Sequence, residues 1–162
     1  MTVAFSHEDF IAALKEQSCW ANICTEPGMI AFMAARASYL VGEPPKEIEV
    51  HLSPGVLKNA LSAGLPHTSR RGPDVAAAAG AVGRCPDRGL TILGSLTEGQ
   101  INEAVSLVDA GAIAIKLDAT HDGVYGKCIA RSQGHNAEVV VEGAHTRITE
   151  ERLDGRALVT SP

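Results

Sequence analysis

The sequence predicts an α+β domain in which helices pack on a small, mainly antiparallel sheet. Three observations carry this expectation. Apolar residues recur at helical spacing through most of the first two-thirds of the chain. One short stretch inside that region, "KEIEVHLSP", alternates apolar and polar residues as a half-buried strand does. Three strand-like stretches separated by turn formers then close the chain.

The length of 162 residues suffices for one domain with a real core. Hydrophobic residues make up 45% and charged residues 20%, the balance of a globular chain rather than a disordered one. Aromatics are only 4%, so the core must be built from Ala, Val, Ile and Leu. Residues 1–150 read as a single domain. Residues 151–162 are polar and read as a frayed tail.

Each element has a local reason. His7 to Ser18 reads as a short helix with Phe10, Ile11 and Leu14 on its apolar face. A second helix spans Thr25 to Val41, with Ile30, Met33, Ala34, Ala37 and Leu40 at helical spacing. Thr25 suits its cap, Glu26 and Pro27 suit its first turn, and "GEPP" ends it. The strand "KEIEVHLSP" sets Ile48, Val50 and Leu52 on one face and Glu47, Glu49 and His51 on the other. "VLKNALSAG" is a helix with Val56, Leu57, Ala60 and Leu61 inward.

"LPHTSRRGPD" and "CPDRGL" are expected loops, with Asp74 capping the alanine-rich helix "VAAAAGAVG" between them. The Ala-Gly face of that helix suits close packing against partner helices. Thr97 caps a further helix that Gly111 ends. "AIAIKLD", "VYGKCIARS" and "NAEVVVEGAHTRI" form the predicted three-stranded meander, turning at Asp122-Gly123 and Gly134-His135. The early strand is free to join that sheet.

Lys and Arg number 14 against 19 Asp and Glu, a net charge of −5, which argues against a nucleic-acid partner. No run of eighteen apolar residues predicts a membrane span, and "MTVAFSHEDFIAALK" lacks the basic start and apolar core of a signal peptide. The expected location is the cytoplasm, where Cys19, Cys24, Cys85 and Cys128 would be reduced thiols or metal ligands. No pair has CxxC spacing, so a self-contained zinc site is not expected. The phosphate-loop, dinucleotide, zinc-protease and nucleophile-elbow signatures are all missing.

Three segments are polar where a scaffold would not need them. "CTEP" places Cys24 at the mouth of a helix, where the positive end of the backbone favours a thiolate. "SPGVLKNALSAGLPHT" sets Ser53 at a strand end and Lys58 and Asn59 in the following helix. "GAHTRI" sets His145, Thr146 and Arg147 near the end of the last long strand. Taken singly, each has an ordinary structural explanation: a small corner residue, a helix cap, edge-strand polar groups.

Taken in order, "ICTEPGMIAFMAARA", "VHLSPGVLKNALSAGLP", "GPDVAAAAGAVG" and "VVVEGAHTRI" resemble the N-terminal half of the iron–sulfur L-cysteine desulfidase family, which is related to the alpha chain of L-serine dehydratase. The resemblance covers about Ala21 to Ile148. It implies a [4Fe–4S] cluster held by three cysteines, with one open iron acting as a Lewis acid in α,β-elimination of serine, cysteine or a related amino acid. By the same resemblance, Cys24 is a cluster ligand. Lys58 and His145 are then the candidate catalytic residues, and Ser53, Asn59 and Thr146 the candidate substrate-binding residues at matching positions; His67 and Arg147, where the chain departs from the family near the same pocket, are further substrate-binding candidates.

The departures are equally specific. Ile23 stands where the family has glycine before the motif cysteine, Ala60 follows Lys58-Asn59 in place of glycine, and Arg147 replaces an asparagine. Cys19, Cys85 and Cys128 do not match the family's other ligand positions, which lie in a helical C-terminal half. The expected arrangement is therefore a split lyase, with a partner polypeptide supplying that half and the remaining cysteines. A self-sufficient enzyme and a non-catalytic small-molecule-binding or assembly subunit are the alternatives. Arg70, Arg71 and Arg147 suit recognition of an extra carboxylate or phosphate, or are solvated loop charges.

Overall fold

The computed structural model describes residues 6–17 and 24–160. Cys19 lies outside the described residues, as does the start of the chain. The elements run α1 (His7–Gln17), α2 (Thr25–Val41), β1 (Glu47–Leu52), α3 (Pro54–Leu61), α4 (Pro73–Gly83), a 3-10 segment (Pro86–Ser95), α5 (Glu98–Asp109), β2 (Ile113–Leu117), β3 (Tyr125–Arg131), β4 (Asn136–Glu142), β5 (Ile148–Leu153) and β6 (Arg156–Thr160). The fold is α+β, with helices on one face of a six-stranded sheet.

Helix α2 is the centre of the molecule. Met29, Ile30, Ala31, Met33, Ala34, Ala35 and Ala37 are fully buried, more than one stripe of the helix, because α4, the 3-10 segment and the sheet surround it. The small side chains of α4 allow this. The Ala-Gly face expected to meet a partner chain instead packs on α2 within this chain. The apolar residues of α1, Phe10, Ile11 and Leu14, are exposed.

The strand order is β2-β1-β3-β4-β5-β6. This corrects the predicted meander. β1 joins the sheet by inserting between β2 and β3, parallel to β2 (Ile48 opposite Ile113) and antiparallel to β3 (Val50 opposite Cys128). A parallel pair needs a long crossover, and α3, α4 and α5 provide it. Asp122-Gly123 is consequently no hairpin turn; the segment between β2 and β3 passes across the end of β1. Gly134, at φ 85°, does sit in the turn joining β3 to β4.

Ile48, Val50 and Leu52 share the helix-facing side with Gly126, Cys128, Ala130, Ala137, Val139 and Val141. The other side is charged. There Glu49 contacts Lys116 at 2.8 Å, His51 at 2.6 Å and Arg131 at 3.3 Å, and Lys127 pairs with Glu138.

The expected frayed tail is also corrected, because residues through Thr160 form β5 and β6. What anchors it is Glu151, 3% exposed in its side chain, which accepts a forked pair of hydrogen bonds from Arg36 of α2 at 2.6 and 3.0 Å. Three local expectations change too. The residue preceding α2 is Cys24 rather than Thr25, which is the first helical residue. Gly72, at φ 114°, precedes α4 where Asp74 was expected, since its backbone shape suits glycine. "CPDRGL" enters the 3-10 segment, broken at Gly89. The Thr97 cap is as expected, and Gln100 completes a capping box. Among the described residues, no helix is long and apolar enough to cross a membrane.

Candidate functional site

One end of the sheet gathers the polar segments. Because β1 and β2 are parallel, both finish there, at Leu52 and Leu117. β3 starts there, and the turn from β4 to β5 closes the same edge. Ser53 follows β1, residues 118–124 follow β2, and residues 143–147 form the turn. Backbone hydrogen bonds tie these together: Ser53 N to Tyr125 O at 3.2 Å, Asp118 N to Leu52 O at 2.8 Å, and Gly143 N to Val124 O at 2.9 Å.

The focus of the site is a residue the sequence reading treated only as a complement to the helix end: Glu26. Its Oε2 accepts from the Cys24 thiol at 2.8 Å and the Thr25 hydroxyl at 3.2 Å. Its Oε1 accepts from Asn59 Nδ2 at 2.9 Å and lies 4.0 Å from His145 Nε2. Segments at positions 24–26, 59 and 145 thus converge on one carboxylate. His145 Nε2 is buried and has no hydrogen-bond partner among the described residues.

The electrostatics of this cluster are internally set. Burial pushes the Glu26 carboxyl up, but hydrogen bonds from Cys24, Asn59, its own backbone and Thr25 outweigh that and hold it at about 2. The Cys24 thiol moves the other way. Donating to the Glu26 carboxylate raises it above the ordinary thiol value, with burial adding in the same direction. The expectation that the helix end favours a thiolate is corrected here: the hydrogen bond to the Glu26 carboxylate, with burial, outweighs the lowering by the backbone N–H groups of Glu26 and Thr25 at the helix start.

The other candidates divide. Ser53 is fully buried, and its hydroxyl donates to Gly123 O at 2.7 Å, so it secures the loop after β2 rather than presenting a free donor. Lys58 is exposed on α3 and forms no ion pair among the described residues. Thr146 and Arg147 are exposed in the turn that carries His145. His67 is exposed in the loop before α4 with a left-handed backbone, φ 60°, and is not joined to the cluster. Arg70 pairs with Asp109, and Arg71 donates to Ser62 O at 3.0 Å. Both therefore serve local structure.

Of the other thiols, Cys85 is exposed before the 3-10 segment, whereas Cys128 is buried in β3 and burial pushes it up to about 12. Among the described residues, no three His, Cys, Asp or Glu side chains are placed to hold a metal ion.

A second polar feature at this end escaped the sequence reading. Asp118 lies 3.2 Å from His121 Nδ1, and the His121 ring stacks on Tyr125 at 3.6 Å. His121 and Tyr125 line a cleft of about 360 Å³ with Lys127, Glu142 and Glu150. The spacing in "DATHDG" is its only trace in the sequence.

No family model matches the chain. The chain is similar to a UPF0597 protein of Aliivibrio fischeri (strain MJ11), 41% identical over 137 residues, which covers 85% of this chain and 32% of the relative. It is 38% identical over 151 residues to a UPF0597 protein of Aeromonas salmonicida (strain A449), covering 93% and 34% respectively. A UPF0597 protein of Shewanella baltica (strain OS155) is 36% identical over 151 residues, covering 93% and 36%. The chain thus spans about a third of the length of the curated relatives it matches.

Proposed function

We propose that this chain is one part of a cytoplasmic [4Fe–4S]-dependent lyase that eliminates water or sulfide from serine, cysteine or a related β-substituted amino acid. A partner polypeptide supplies the helical remainder and the other cluster cysteines. The observation that carries this reading is the meeting of Cys24, Asn59 and His145 at Glu26, since it joins three segments of the desulfidase-like motif set. The relatives' greater length is consistent with further parts to the assembly.

The donor set fits one corner of a cluster. Cys24 is an exposed thiol at the site, and the other described thiols stand elsewhere. Cys24 would hold the cluster by giving up the proton it shares with Glu26. When bound, an open iron supplies Lewis acidity toward the leaving β-substituent. This chain's residues do the rest. Asn59 and Thr146 orient the substrate, His145 contacts it beside Glu26, and Lys58 at the rim moves its α-proton.

The test is anaerobic co-expression with a partner polypeptide carrying the missing cysteines. A complex holding about four irons, with pyruvate or sulfide released from serine or cysteine, is the expected result. Cys24→Ala should lose both the iron and the turnover. Full iron content and activity in Cys24→Ala, or an iron-free wild-type complex, would overturn the assignment.

A further inference from the structure

We infer that Glu26 and His145 together receive the α-ammonium group of the amino-acid substrate, an inference that rests on the lyase function proposed above. Glu26 Oε1 and His145 Nε2 stand 4.0 Å apart. That is too far for a direct hydrogen bond and close enough for one small donor to reach both. Nε2 is buried and unpartnered, a condition that native structures rarely leave without a reason. With its proton on Nδ1, the imidazole presents Nε2 as an acceptor. An ammonium nitrogen about 2.9 Å from each acceptor spans the gap and keeps a third N–H free.

The charge of the site selects a cation. The Glu26 side chain is only 14% exposed, and its hydrogen bonds come from neutral donors: a thiol, a hydroxyl and a side-chain amide. Its one ion-pair contact among the described residues is the long approach to His145. The start of α2 offsets part of the carboxylate charge. An anionic ligand would be repelled here, and among the described residues no three His, Cys, Asp or Glu side chains are placed to hold a metal ion. A primary ammonium matches both the charge and the two acceptors.

The probe is L-serine against 3-hydroxypropionate, which lacks the amine, with methylammonium as the minimal cation. Each is titrated into the full chain while His145 Nε2 is followed by long-range nitrogen-15 NMR. L-serine and methylammonium should move that resonance, and 3-hydroxypropionate should not. In Glu26→Gln both amines should bind at least about 10-fold more weakly, the loss of one charge-assisted hydrogen bond. Equal shifts from L-serine and 3-hydroxypropionate, or no shift from any of the three, would overturn the inference without recourse to a variant. Iron loading of the complex reads the lyase function separately. An iron-loaded complex without amine selectivity removes this inference alone, whereas amine-selective shifts in a chain whose complex takes no iron keep the amine site and remove the lyase.

Discussion

Gly80 of α4 sits directly against Ala31 of α2: a Cβ at position 80 would fall 2.0 Å from the Ala31 carbonyl oxygen. The two helices touch backbone to backbone at that point. Gly80→Ala must force them apart and is expected to cost about 1–3 kcal/mol or more, although the same change in an exposed helix is favourable. Gly99→Ala in α5, where the nearest atom is 3.9 Å away, should be neutral or slightly stabilising. Urea denaturation of both variants checks the contrast; equal stability would show that α4 and α2 are free to separate.

The Arg36–Glu151 pair should be sensitive to losing either member alone. Arg36→Leu leaves a buried carboxylate without its fork and is expected to cost about 2–3 kcal/mol. The solvent exposure of Arg36, 29%, keeps this below the figure for a fully buried pair. Replacing both residues by Leu should recover much of the loss. A double-mutant cycle by chemical denaturation measures it, and additive losses would mean that the pair is not coupled.

Cys24 should alkylate slowly for an exposed thiol. Glu26→Gln removes the carboxylate that raises its pKa, so the thiolate fraction near neutral pH should rise. Peptide mapping after iodoacetamide treatment should show faster labelling of Cys24 in the variant. Cys128 should stay unlabelled in both while the fold is intact. Unchanged Cys24 labelling would place control of this thiol elsewhere.

Glu49 should make stability fall in acid. Hydrogen bonds from Lys116 and then His51, with Arg131 adding to them, hold its carboxyl at about 2 against 4.5 when unperturbed. A carboxyl depressed in the fold contributes stability above its unfolded value, and that contribution drains away as pH falls from about 4.5 toward 2. Glu49→Gln should therefore lie below the wild type in thermal midpoint at pH 6, with the gap narrowing by pH 3. A gap independent of pH would remove Glu49 from the acid response.

What was legible in the sequence was mostly local. α2 could be read because Glu-Pro opens it and apolar residues recur along it, and β1 because Ile48, Val50 and Leu52 alternate with polar residues. The placement of β1 between β2 and β3 could not, since strand pairing is decided by partners far along the chain. β5 and β6 read as a tail because Glu151 looks like a surface residue until Arg36, 115 positions earlier, covers it. At the site, motif order marked Cys24, Asn59 and His145. Their meeting at Glu26 is a tertiary fact, and so is the raised thiol pKa it imposes.

The insertion of β1 also bears on synthesis. During translation β1 leaves the ribosome before either strand that flanks it: Ile48 waits for Ile113, and Val50 for Cys128. At ribosomal speeds that wait lasts roughly several seconds to more than ten. Throughout it, both hydrogen-bonding edges of this half-apolar strand are open, and for the first part of it the alanine-rich helix destined to lie over it is still being made. The nascent chain thus passes through a stage in which β1 is complete and neither strand that will flank it has been made.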